Sequence, residues 1–164
     1  KPKGSPTLVP MSDKREAYNS AVTDFSDVTA GGKHKRIITI HYPTGWIQLL
    51  IPDWLDRASM KNIRLALTLI ARNQCDNTET IEELDRFFPD CIENLKNERA
   101  KASREYRDGY RLFDKWHCSS TERKAIEKSN RQLLSSVKKA KARHDKMCKI
   151  KVLYDALKEK YFID

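Results

Sequence analysis

Two short runs rich in β-branched and aromatic residues, at 36–42 and 46–51, open the patterned part of the sequence. A three-residue connection that ends in Gly45 separates them. This pattern predicts a β-hairpin, with a turn in which glycine takes a positive φ without steric cost. Because an isolated hairpin is marginal in water, we expect its apolar face to pack on helices, with Trp46 and Trp54 as anchors.

Apolar positions then return at helical spacing. The first helix should follow Asp53 and end near Asn73, with a stripe formed by Leu55, Ile63, Leu67 and Ile70. Asp76 and Glu79 have the spacing of a capping box, which predicts the start of a second helix there. Its apolar side should carry Ile81, Leu84, Phe87 and Phe88.

Two longer helices are predicted in the second half of the chain. Proline is favoured in a first helical turn, so one helix should begin at Pro89 and run through Trp116. A capping box at Ser119 and Glu122 starts the last helix, which reaches Phe162 without Pro or Gly. Its apolar stripe contains Ile126, Leu133, Val137, Ala140, His144 and Met147.

Two apolar stripes joined by a short connection predict an antiparallel helical hairpin. If the bend lies between Ser119 and Ser120, Leu95 faces His144 and Cys91 faces Cys148. The resulting fold class is mainly α with a small β-hairpin (α+β), in which the hairpin packs on helices and a long helical hairpin follows.

The domain prediction is a flexible N-terminal arm over residues 1–35 and one domain over 36–164. The domain comprises the β-hairpin (36–51), a helical core (53–88) and the long helical hairpin (89–162). The 164 residues suit one domain with a tail. Since the chain begins with Lys1, we take Met11 as a candidate native start.

The net charge of +9 is unevenly distributed along the chain. Residues 1–52 contribute +3, residues 53–120 contribute −1 and residues 121–164 contribute +7. Such a local positive field favours a polyanionic partner.

At about 100° per residue, seven cations of the last helix fall within a sector of about 140°, opposite its apolar stripe. Phosphate backbones attract such a row by charge pairing and counterion release. The sequence therefore predicts a DNA- or RNA-binding accessory protein, of the kind that phages and mobile elements use. The alternative for this face is a solvated surface that keeps the helices soluble. The predicted binding residues are Lys128, Arg131, Lys138, Lys139, Arg143, Lys146 and Lys149.

A second hypothesis comes from another class of protein. A helical adaptor or inhibitor could bind an acidic protein surface through the same cations, or the chain could form a homodimer by a coiled coil of its long helices. Trp116 and His117, near the expected tip of the helical hairpin, are candidates for contact with a partner.

Catalytic motifs are not found: the sequence has no glycine-rich phosphate loop, G-x-S-x-G elbow or H-E-x-x-H helix. We therefore expect a non-enzymatic protein without cofactors. A structural zinc site needs four ligands, and Cys91, His144 and Cys148 supply at most three, so no metal is expected.

The cysteines are neither dense nor arranged as C-x-x-C, which favours a reducing compartment. No apolar run reaches the length that spans a bilayer, so membrane insertion is not expected. These features predict a location in the cytoplasm, or in the nucleus if the host is eukaryotic.

Overall fold

The computed structural model describes residues 36–112 and 118–162. Two strands precede four helices: β1 (Arg36–Tyr42), β2 (Gly45–Ile51), α1 (Asp53–Arg57), α2 (Met60–Arg72), α3 (Thr78–Gly109) and α4 (Ser120–Tyr161). The predicted fold class, mainly helical with one β-hairpin, is confirmed.

The hairpin is a two-stranded antiparallel sheet with a tighter turn than expected. Tyr42 pairs with Gly45, so two residues connect the strands and Gly45 opens β2. Its φ is 158°, and an added Cβ would lie 3.3 Å from the Tyr42 hydroxyl. The inner face supplies Ile38 and Ile40, which are 2% and 0% exposed.

Of the two predicted anchors, only Trp54 packs against the core. Trp46 lies opposite His41 on the outer face and is 60% exposed, so its prediction as an anchor is wrong. The alternation of the strand decides this, because the side chains of β2 that share a face with Ile38 and Ile40 are Leu49 and Ile47.

The first predicted helix is divided in two. Ser59 is the N-cap of α2, and its hydroxyl accepts a hydrogen bond from the Asn62 amide at 3.3 Å. This local cap separates α1 from α2, because a side-chain acceptor satisfies a free amide at a new helix start. The predicted end near Asn73 is confirmed, since Asn73 is the C-cap of α2.

Asn77 joins the start of α3 to the outer edge of β1. The expected capping box at Asp76 and Glu79 is wrong: Asn77 is the N-cap and makes no side-chain cap. Its side chain is 1% exposed and bonds to both backbone groups of His41, accepting from N–H at 2.8 Å and donating to C=O at 3.1 Å. Thr80 donates to the Thr39 carbonyl at 2.8 Å. These contacts occupy three outward-facing backbone groups of β1, at the end of the strand nearest the turn.

Helix α3 continues through Pro89 without ending, so the predicted helix start at this residue is wrong. Pro89 is exposed, and the carbonyl of Asp85 that loses its helical donor can be hydrated. Buried Leu84 and Phe88 before the proline and Leu95 after it hold both halves against the core. Tertiary packing thus outweighs the local preference of proline. The helix ends at Gly109, before the predicted end at Trp116.

Helices α3 and α4 form the antiparallel pair. Asn130 bonds to the Arg111 backbone, accepting from N–H at 3.1 Å and donating to C=O at 2.8 Å. Arg143 contacts Glu98 at 3.0 Å. The predicted register would place Glu98 opposite residue 141, so the observed pairing differs by two residues. The predicted capping box of Ser119 and Glu122 is confirmed, and its hydrogen bonds lower the pKa of Glu122.

The core lies where the hairpin, α1, α2, the first half of α3 and the last half of α4 meet. Tyr154 of α4 is 1% exposed, and its hydroxyl donates to the Ile81 carbonyl and contacts Asp85 at 3.0 Å. Burial and the neighbouring carboxylate raise the pKa of this phenol. Lys158 completes the cluster by an ion pair with Asp85 at 2.7 Å.

Beyond the core, the described parts of α3 and α4 pack against each other. We call residues 97–112 and 118–142 the extension; none of these side chains is fully buried. Its seam consists of half-buried side chains, among them Tyr106, Ile126, Leu133 and Val137. No described helix combines the length and the apolar composition needed to cross a membrane.

Candidate nucleic-acid interface

The seven predicted binding residues divide into two groups. Five are exposed on α4, namely Lys128, Arg131, Lys138, Lys139 and Lys149. Arg143 and Lys146 are partly buried and bind groups of the same chain. The structure therefore interrupts the basic row where α1 lies against α4.

Arg143 connects three helices. Its guanidinium contacts Asp56 of α1 and Glu98 of α3, each at 3.0 Å, and its side chain is 33% exposed. Partial burial disfavours the charged form, but the hydrogen bond to Asp56 and its charge more than compensate, and the pKa of Arg143 is raised. A two-acceptor arrangement of this kind stabilises the junction and leaves little of the cation for a phosphate.

Lys146 caps the end of α1. Its ammonium donates to the carbonyl of Asp56 at 2.7 Å and to that of Ala58 at 2.9 Å. Carbonyls at a helix C-terminus lack helical donors and carry partial negative charge, so a lysine is a favourable partner there. Arg143 and Lys146 therefore hold α1 against α4 by intramolecular contacts, and their role in binding stays a prediction.

The exposed cations lie in the extension, with one exception. Lys128, Lys138 and Lys139 make no ion pair with any described residue, and Arg131 reaches Glu127 at 3.7 Å while its side chain stays 83% exposed. Lys149 is also exposed but belongs to the half of α4 that packs on the core. The exposed i,i+4 pair of Arg131 with Glu127 stabilises the helix by only tenths of a kcal/mol, so Arg131 remains available to a ligand.

Lys124 was missed by the sequence analysis. It lies one turn before Lys128, is exposed, and lines the same shallow depression as Lys128 and Arg131. A second depression follows, lined by Arg131, Lys138 and Lys139 together with Leu134. The sequence feature that identifies Lys124 is its four-residue spacing to Lys128, which places the two side chains on one face of a helix.

We call these five cations the basic ridge: Lys124, Lys128, Arg131, Lys138 and Lys139. At 1.5 Å per residue, the ridge extends about 22 Å along α4. Residues 120–142 contain seven basic side chains and two acidic ones, Glu122 and Glu127. The ridge lies in the least compensated part of the described chain.

Cys91, His144 and Cys148 do not form a metal centre. Cys148 Sγ lies 3.8 Å from His144 Nε2, but among the residues that the structure covers no three His, Cys, Asp or Glu side chains are grouped to hold a metal ion. Desolvation, followed by the charge of Asp56, raises the pKa of the Cys91 thiol to about 11. Cys91 is therefore protonated and unreactive near neutral pH.

The predicted tip contacts Trp116 and His117 lie outside the described residues. The apolar stripe of α4 that could have formed an intermolecular coiled coil lies against α3 of the same chain, where an added Cβ on Gly109 would meet Leu133 at 3.0 Å. Comparison with family models, curated proteins and solved structures found no match.

Proposed function

We propose that this protein is a non-enzymatic nucleic-acid-binding protein that contacts the phosphate backbone through the basic ridge of α4. The observation that carries the proposal is the row of exposed cations from Lys124 to Lys139, in which the one ion pair with a described residue is that of Arg131 with Glu127. Exposed amines that are not held by carboxylates release counterions when they meet phosphates, which favours binding without sequence selectivity.

The length of the ridge sets the expected footprint. A span of about 22 Å corresponds to about seven base pairs, because duplex DNA rises about 3.4 Å per pair. Affinity per site should therefore stop increasing once a duplex exceeds about ten pairs. The ridge lies on one helix and has no glycine-rich cradle or base-reading loop, so the proposal predicts little preference among sequences.

Electrophoretic mobility shifts at several salt concentrations test the proposal. If the five ridge cations each neutralise one phosphate, the slope of log K against log salt should be about −4.5 for duplex DNA and about −3.5 for single strands. Binding that is absent at low salt for duplex and single-stranded DNA and RNA would refute the proposal. A slope near zero would also contradict it, because contacts other than phosphate pairing would then dominate.

An acidic protein surface is a second candidate partner, and one observation favours it. Leu134 is 41% exposed between Arg131 and Lys138, where a protein ligand could cover it. Replacing Leu134 with Ser should weaken protein binding and leave phosphate binding unchanged, because phosphates make no use of an apolar side chain. Measuring both with the same variant separates the two candidates.

The proposal includes a reducing compartment, either the cytoplasm or a eukaryotic nucleus. It is supported by the four cysteines, which are all free thiols: Cys75, Cys91, Cys118 and Cys148.

A further inference from the structure

Along the outer edge of β2, the described part of the chain leaves backbone groups unpaired. The N–H and C=O of His41 point away from β2, since Asn77 binds both of them. In an antiparallel ladder the residue opposite such a position also directs its backbone groups outward, and every second residue repeats this orientation. Trp46 is opposite His41, so Trp46, Gln48 and Leu50 direct their amides and carbonyls to the free edge. No described residue bonds to these groups.

Two of the three outer-face side chains along this edge are apolar and exposed. Trp46 is 60% exposed and Leu50 is 39% exposed, and Ile37, which pairs with Leu50 on the same face, is 63% exposed. Natural edge strands are usually protected by lysine, proline or a bulge. The sequence of β2 contains no charge and no proline. An edge with this composition is suited to accept another strand.

We propose that β2 pairs with β2 of a second copy of this chain, antiparallel and with Gln48 on the two-fold axis. Gln48 then lies opposite Gln48 of the partner subunit, and Trp46 lies opposite Leu50 of the partner subunit. The two hairpins then form one four-stranded sheet. On its outer face, the Trp46 indole of one copy lies beside the partner subunit's Leu50 and the partner subunit's Ile37. The outer face of the strand is thus complementary to itself, because its two apolar residues, Trp46 and Leu50, are equally spaced about the neutral Gln48.

The charge distribution selects a second copy as the occupant. The chain carries +9, yet Arg36 is the single charged residue between positions 36 and 51, with histidine taken as neutral. The hairpin is therefore a region where two copies can meet with little repulsion. A charged peptide from another protein would find no opposite charge along β2.

A charge exchange at Gln48 tests this pairing. Gln48 is exposed, so Gln48→Lys and Gln48→Glu should both fold, which circular dichroism verifies. Each variant alone places like charges opposite each other on the axis and should raise the dimer dissociation constant by up to about fivefold in sedimentation equilibrium. An equimolar mixture of the two variants should recover the dimer. Asn97→Lys, which adds the same charge at an exposed position of α3, is the matched control and should dimerise like the original chain.

Hydrogen exchange gives an independent measurement. The amide of Gln48 should become protected as protein concentration rises, while that of His41 should be protected at every concentration. The inference is overturned if the chain remains monomeric at all concentrations, if Gln48→Lys dimerises with the dissociation constant of the original chain, or if the mixture of variants does not recover that constant. An unchanged dissociation constant in Gln48→Lys would indicate pairing through another surface, such as the long helices.

Discussion

Neutralising the two cations at the C-terminal end of the basic ridge should weaken nucleic-acid binding by a calculable factor. Lys138 and Lys139 are exposed and make no ion pair with a described residue, so Lys138→Gln/Lys139→Gln should leave the fold intact. Each phosphate contact changes log K by about 0.9 per decade of salt. If the original chain and the double variant bind equally at 1 M salt, the loss of two contacts should therefore reduce affinity about 60-fold at 0.1 M salt.

The assay is fluorescence anisotropy with a labelled duplex of about ten base pairs, titrated at several salt concentrations. The double variant should reduce the slope of log K against log salt from about −4.5 to about −2.7, because three of five contacts remain. The salt slope is the more informative number, since it counts the neutralised phosphates independently of other contributions to affinity.

The matched control removes the same charge at another place. Lys61 and Arg64 are exposed neighbours on one face of α2, outside the extension. Lys61→Gln/Arg64→Gln lowers the net charge by the same two units and should change affinity by less than about threefold, the effect expected from screened long-range charge. If the control weakens binding as much as the ridge variant, net charge and not the ridge is responsible, and the proposed interface is refuted.

Arg143 is unsuitable for such a test, although the sequence pattern included it among the binding residues. Its contacts with Asp56 and Glu98 join α1, α3 and α4. Reversing its charge would place three carboxylates together at a partly buried junction and should destabilise the fold by several kcal/mol. Loss of binding in that variant would report unfolding and not a lost phosphate contact.

Three further outcomes are expected. Asn77→Ala should lower the free energy of unfolding by about 2 kcal/mol in urea denaturation, because the partly buried His41 amide loses its acceptor. A change below about 0.5 kcal/mol would show that water replaces the side chain. Pro89→Ala should raise the free energy of unfolding by up to about 3 kcal/mol, because alanine restores a helical donor at an exposed position. No gain in the same urea denaturation would mean that the local backbone geometry of the helix is adapted to proline. At pH 8, Cys91 should be alkylated about 100-fold more slowly than a thiol with the ordinary pKa of 9.0, and the rate should increase as the pH rises toward 11. Mass spectrometry of the labelled peptides measures the alkylation rate. Rapid labelling at pH 8 would contradict the raised pKa.

Periodicity was sufficient to predict the hairpin and the antiparallel helices. The alternating side-chain directions in β1 and the apolar stripe of α4 both follow from burial of one face of the element. Burial determines which positions are apolar wherever one face of a strand or helix packs on a core. Two of the wrong predictions, at Asn77 and Pro89, fail because tertiary contacts decide there. Asn77 leaves its local cap for His41, which lies 36 residues away, and Pro89 stays inside a helix because the flanking residues are packed.

The candidate site shows the same division. Helical spacing correctly predicted that Lys128, Lys138 and Lys139 share an exposed face. It could not predict that Lys146 would bind the end of α1, because the carbonyl acceptors come from residues 88 and 90 positions earlier in the chain. Spacing within one helix gives the direction of a side chain, whereas its availability depends on what packs beside it.

The extension contributes no fully buried side chain to the hydrophobic core. All fully buried apolar side chains among the described residues lie outside 97–112 and 118–142. The two helices there share only a narrow seam, which by itself gives marginal stability to a helix pair. A segment of this kind is not explained by stabilisation of the fold. Its excess of exposed cations, concentrated on α4, is explained if the extension presents them to an anionic partner, and the variants of Lys138 and Lys139 measure that role directly.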